Sequence, residues 1–133
     1  MKVAFTTSDN VHINAHFGWA SKIDLYDVSP DGFNFVNTLE FGGDLKEDGN
    51  EDKLEPKLAA LNGCTLLYVS AIGGTAAARL IRKNVTPIKA RSEEDKIDEI
   101  LGELVKTLKG NPPPWLRKVL QKEANPTNFE DDE

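Results

Sequence analysis

Two short apolar runs bracketed by turn residues, Val3-Ala4-Phe5 and Thr65-Leu66-Leu67-Tyr68-Val69, have the form of strands buried on both faces. Between them, residues 22–28 and 33–41 alternate apolar and polar side chains, and Ser29-Pro30-Asp31-Gly32 supplies the turn chemistry of a hairpin. That pair predicts an antiparallel hairpin at the edge of a sheet whose centre holds the two apolar runs.

The segment 42–50 is rich in glycine and acids and predicts a solvated loop, followed by a helix carrying Leu54, Leu58 and Leu61 on one face. Gly73-Gly74 leads from the central strand into a second helix, whose Ala76-Ala77-Ala78 and Leu80-Ile81 suit close packing on a sheet. A short strand over 85–89 follows. In the third helix Ile97, Ile100, Leu101, Leu104, Val105 and Leu108 recur at helical spacing. Ser92-Glu93-Glu94-Asp95 ahead of it has capping-box form, with Asp in the place of Glu or Gln. The order strand, hairpin, helix, strand, helix, strand, helix predicts an α/β fold of three layers, α/β/α. Its mixed five-stranded sheet has right-handed crossovers joining the last three strands. Pro112-Pro113-Pro114 breaks the third helix, and Trp115, Leu116, Val119 and Leu120 predict a short amphipathic helix before a disordered acidic tail over 125–133. The chain thus divides into an α/β domain over 1–109 and an extension over 110–133.

Composition narrows the function. A chain of 133 residues, 39% hydrophobic and 29% charged, builds one domain around one core. The formal net charge of -6 disfavours nucleic acid as a partner. The start of the chain runs directly into a strand, without a long apolar segment or signal-peptide pattern, so a cytoplasmic protein without membrane association is expected; a monomer is expected as well. One cysteine, Cys64, and two histidines cannot close a structural zinc site of the usual four-ligand kinds.

Candidate chemistry concentrates at the carboxyl end of the first strand, in residues 6–19, because ligands of open α/β sheets bind where neighbouring loops diverge. Both histidines lie here. An imidazole is a good ligand for iron or zinc, and His16, beside Gly18, is the leading candidate. The alternative is that His16 only caps a turn. His12 reads as structural, and the pair lacks the His-Glu-x-x-His form of zinc proteases. The second candidate is Gly73-Gly74-Thr75, where free N–H groups at a helix N-terminus favour an anion, although Gly-Gly also serves as a plain strand-to-helix connection. It has neither the nucleotide phosphate-loop pattern nor the dinucleotide-binding fingerprint, so ATP and NAD are not expected. Cys64, at the opposite end of its strand from His16, is a less favoured ligand. Asp24 and Asp27 fall on opposite faces of one strand and Asp31 in a turn, which argues against a metal-dependent nuclease.

Three stretches together resemble a known family: Ser8-Asp9 through His16-Phe17-Gly18, then residues 71–79 (Ala-Ile-Gly-Gly-Thr-Ala-Ala-Ala-Arg), and Asn111 through Lys118 with its Pro-Pro-Trp-Leu-Arg core. These are similar to the dinitrogenase iron–molybdenum cofactor biosynthesis proteins, which include NifX, NifY, NafY and the carboxyl-terminal domain of NifB. The first two stretches belong to the domain all of them share, and the third resembles the NifX type. The resemblance implies a ribonuclease H-like fold without nuclease activity and a cofactor-binding role for His16, with Ser8, Asp9 and the Gly73-Gly74-Thr75 turn in matching motifs. It also implies a non-catalytic carrier of the iron–sulfur precursor made by NifB, bound transiently and passed to the NifE–NifN scaffold. Arg79 and Lys22 are possible electrostatic helpers. A protein-interaction module or temporary cofactor store, with no essential histidine ligand, is the alternative.

Overall fold

The computed structural model describes residues 1–18, 20–41 and 55–118. Five strands, β1 (Lys2–Thr7), β2 (Lys22–Ser29), β3 (Gly32–Glu40), β4 (Leu66–Val69) and β5 (Thr86–Lys89), form one sheet in the order β3-β2-β1-β4-β5. Three helices, α1 (Glu55–Ala60), α2 (Gly74–Arg82) and α3 (Ile97–Lys109), alternate with the later strands. β1 pairs antiparallel with β2 and parallel with β4; β2 and β3 form the edge hairpin, and β4 and β5 are parallel. The sheet is therefore mixed, as the hydrophobic pattern predicts.

The uninterrupted apolar runs of β1 and β4 follow from burial on both faces. Ala4, Leu67 and Val69 face Leu58 and Leu61 from the α1 segment and Ala76 and Leu80 of α2. Val3, Phe5, Leu66 and Tyr68 face Ile97, Leu101 and Leu104 of α3. On that second face the Phe5 and Tyr68 rings stack with centroids 5.2 Å apart, and Tyr26 of β2 meets Phe5 edge-on at 5.8 Å. Two helices on one side and one on the other give the three layers.

The capping-box expectation for α3 is corrected. The N-cap is Lys96, whose side chain makes no capping bond, and Ser92-Glu93-Glu94-Asp95 instead folds into a turn of its own. Ser92 Oγ accepts from the Glu94 N–H at 2.9 Å, and Asp95 Oδ2 accepts from the Arg91 N–H at 3.0 Å. The first N–H of the helix, that of Ile97, donates to the Val11 carbonyl at 2.8 Å. A backbone oxygen from the loop after β1 thus satisfies one of the N–H groups that the first turn of a helix leaves without a partner inside it.

Past α3 the chain turns at Gly110, and residues 114–118 are helical with Pro114 at the first position, where its missing N–H is harmless. Leu116 is only 1% exposed and packs in the α3-side core, whereas Trp115 stands half exposed. The expected acidic loop over 42–50, Leu54, Val119, Leu120 and the tail lie outside the described residues.

Candidate functional site

Parallel neighbours end at the same edge of a sheet, so pairing β1 with β4 brings the segments that follow them together. His16 forms a parallel bridge with Ala71. The Phe17 N–H donates to the Ala71 carbonyl at 2.9 Å, and the Ser70 N–H donates to the Ala15 carbonyl at 3.2 Å. The two stretches singled out by sequence, around His16 and around Gly73-Gly74, are therefore laced together by backbone bonds at the carboxyl edge of the sheet.

The loop from Ser8 to His16 is held by its own polar side chains. Asp9 accepts from the N–H groups of Val11 (2.9 Å) and His12 (2.8 Å) and from His12 Nδ1 (2.7 Å). The backbone N–H of His12, then its ring, then the N–H of Val11 hold the Asp9 carboxyl well below the usual carboxylate range. The Ser8 N–H and hydroxyl both donate to Asn14 Oδ1, at 2.9 and 3.1 Å. His12 also bridges Lys96, tying the loop to the start of α3. Ser8, Asp9 and His12 are in this way committed to loop structure.

A second network, which the sequence reading did not single out, anchors the loop to the hairpin. Asn10 adopts a left-handed φ of 64°, a conformation asparagine tolerates better than most residues. Its Nδ2 donates to Asp24 Oδ1 at 2.7 Å, where Thr38 Oγ1 also donates at 2.8 Å; Lys22 Nζ donates to Asn10 Oδ1 at 3.3 Å. Asp24 is 1% exposed and serves as the buried acceptor of this network.

His16 is half buried, and its Nδ1 accepts the Gly18 N–H at 3.0 Å. A neutral imidazole accepting at Nδ1 carries its proton on Nε2, whereas His12, donating from Nδ1 to Asp9, carries it on Nδ1. In their neutral forms the two histidines are therefore set in opposite tautomers by their hydrogen bonds. Beneath the turn lies Lys57 of α1, fully buried, with Nζ donating to the carbonyls of Phe17 (2.8 Å) and Gly18 (3.0 Å). Burial pulls its pKa down to about 8. Sequence reading missed Lys57, although its spacing from Leu54, Leu58 and Leu61 places it on their apolar face.

Gly73, the N-cap of α2, and Gly74 and Thr75 in its first turn are exposed, and no side chain among the described residues caps the helix. Among the described residues a Cβ added to Gly73 or Gly74 would meet nothing within 4 Å, so their packing does not require glycine at either position. Arg79 pairs with Glu55, joining α2 to α1. Cys64 is 4% exposed in the core beyond the amino end of β4, and burial pushes its thiol up to about 11 despite the opposing charge of Lys2. Among the described residues no group of three or more His, Cys, Asp or Glu side chains converges to hold a metal ion, and no helix is long and apolar enough to cross a membrane.

The family model described as dinitrogenase iron-molybdenum cofactor matches residues 1–107. The chain belongs to this family. Among its relatives, NifX of Herbaspirillum seropedicae is 48% identical over 133 residues, covering 99% of this chain and 90% of its own. NifX of Azotobacter vinelandii is 38% identical, covering 95% and 78%. The FeMo cofactor biosynthesis protein NifB of Bradyrhizobium diazoefficiens is 32% identical over 65% of this chain but only 17% of its own length. A similar fold is seen in two solved structures: PH0822, with a TM-score of 0.56 at 16% identity, covering 84% of this chain and 92% of its own, and MJ0327 of Methanocaldococcus jannaschii, with 0.52 at 13%, covering 85% and 97%. In this member the regions shared with the family include both halves of the laced edge, the His16-Phe17-Gly18 turn and the start of α2.

Proposed function

We propose that this protein is a non-catalytic, cytoplasmic carrier in iron–molybdenum cofactor biosynthesis, receiving an iron–sulfur precursor cluster from NifB and passing it to the NifE–NifN scaffold. The observation that carries this reading is the backbone lacing of His16 to Ala71, which holds the His16 turn against the segment leading into the glycine-opened start of α2. An anionic cluster suits that pair: the imidazole for iron, and the N–H groups around Gly73, Gly74 and Thr75 for sulfides. Ser8 and Asp9 support the cluster site by shaping the loop. With His16 as the iron ligand and no converging set of further protein ligands among the described residues, binding is weak enough for release. Ligation through Nε2 moves the ring proton to Nδ1 and frees the Gly18 N–H, a cost of about 1 kcal/mol that also favours giving up the cargo.

Anaerobic titration of the purified monomer with cluster released by NifB, read by absorbance and gel filtration, tests this. Wild type forms a stoichiometric complex and His16→Ala does not; equal binding by both removes His16 from the account. A second reading, a docking module for a scaffold protein, draws on half-exposed Trp115. It stands at a cavity of about 350 Å³ that Ile88, Arg91, Leu104 and Leu116 also line. Under that reading Trp115→Ala abolishes NifE–NifN docking while cluster binding stays intact.

A further inference from the structure

Lys57 is fully enclosed, and no carboxylate among the described residues pairs with it. The Phe17 and Phe41 rings stand 5.8 and 5.7 Å from its Nζ, leaving the ammonium between two aromatic faces and two carbonyl oxygens. Its neighbours on the same helical face, Leu58 and Leu61, belong to the core. An aliphatic residue here would avoid the desolvation of a charge, so the lysine calls for a reason that packing does not supply.

The geometry supplies one. The Phe17 carbonyl, which accepts from Lys57 at 2.8 Å, and the Gly18 N–H, which donates to His16 Nδ1 at 3.0 Å, are the two ends of a single peptide unit. A cation on the oxygen of an amide polarises the unit and makes its N–H a stronger donor. The neighbouring Gly18 carbonyl accepts from the same ammonium at 3.0 Å, so this peptide cannot rotate without breaking bonds on both sides. We propose that Lys57 is a positioning residue for His16, acting through the Phe17–Gly18 peptide to fix the orientation of the imidazole and hold its proton on Nε2. Where the carrier reading enters, the consequence concerns an iron–sulfur cargo: iron can take Nε2 only after the bond that Lys57 reinforces has let go. The buried lysine therefore governs how readily the histidine takes and gives up its cargo, without touching the cargo itself.

The tautomer can be read directly in the cargo-free protein by long-range ¹H–¹⁵N correlation of the imidazole nitrogens. In wild type His16 shows protonated Nε2 and bare Nδ1, while His12, held by Asp9, shows the reverse and serves as an internal reference. In Lys57→Met the His16 tautomer ratio shifts about fivefold toward Nδ1–H, one weakened hydrogen bond's worth. In Lys57→Gln, which keeps a neutral donor, the shift is smaller. A folded Lys57→Met protein with an unchanged His16 pattern overturns the proposal. So does a wild-type His16 protonated on Nδ1, a result that needs no variant to fold. The wild-type NifB-cluster titration, run alongside, decides the carrier reading separately: no binding there ends that reading and leaves the tautomer result standing.

Discussion

Removing the Asp24 carboxylate tests whether the loop after β1 is held by the hairpin. Asp24 Oδ1 accepts from Asn10 at 2.7 Å and Thr38 at 2.8 Å, and the side chain is 1% exposed. Hydrogen bonds to a charged group contribute about 1.5–3 kcal/mol each. Asn10 is exposed and recovers water when its acceptor goes, and deleting the anion also relieves its desolvation, so the total falls toward the lower end. Asp24→Ala is expected to cost about 3 kcal/mol, or about 10 °C in Tm for a domain of this size. Asp24→Asn, which retains an acceptor without the charge, costs about half as much. Urea denaturation at pH 7 of wild type, Asp24→Ala, Thr38→Val and the double variant gives a cycle with a coupling of about 1–2 kcal/mol between the two side chains. A loss below about 0.5 kcal/mol for Asp24→Ala, or strict additivity with Thr38→Val, would refute the view that this network stabilises the fold.

Two further outcomes follow from buried titratable groups. Lys57 releases its proton near pH 8 in the folded protein but near 10.5 when unfolded, so between those values the unfolded chain binds more protons and stability rises with pH. Relative to Lys57→Met, wild type should gain up to about 3 kcal/mol from pH 8 to 10.5, and parallel urea-melt curves for the two proteins would rule this out. Cys64, 4% exposed with its thiol raised to about 11, should react with an aromatic disulfide at pH 8 only as fast as the native protein opens; labelling at the rate of a free thiol would contradict its burial.

Most of the fold was legible because its signals are periodic. Two-sided burial wrote β1 and β4 as unbroken apolar runs, the hairpin alternated, and α3 carried a helical apolar stripe. Errors arose where a tertiary partner replaced a local one. The Ser92–Asp95 box closes a turn of its own, with Ser92 Oγ accepting from the Glu94 N–H, and the helix starts later, at Ile97, whose N–H the Val11 carbonyl takes. The place of His16 at the carboxyl edge of the sheet was readable from its position after the first strand, whereas its hydrogen bond to Gly18 was not, because that depends on a peptide fixed by a lysine about 40 residues away. Lys57 did leave a trace: a cation at the spacing of Leu54, Leu58 and Leu61 is out of pattern, and its meaning appears only once the turn is packed against it.

The parallel pairing of β1 with β4 also sets when the candidate site can exist. His16 and Ala71 are about 55 positions apart, and the strands that align them are the central pair of the sheet. Contacts of such long range form late, after the intervening hairpin and helix have closed the loop between them. During synthesis the first strand must therefore wait, unpaired on that side, until β4 has emerged. A nascent or partly folded chain offers the histidine without the second wall, so cluster capture would be restricted to molecules whose central sheet is complete.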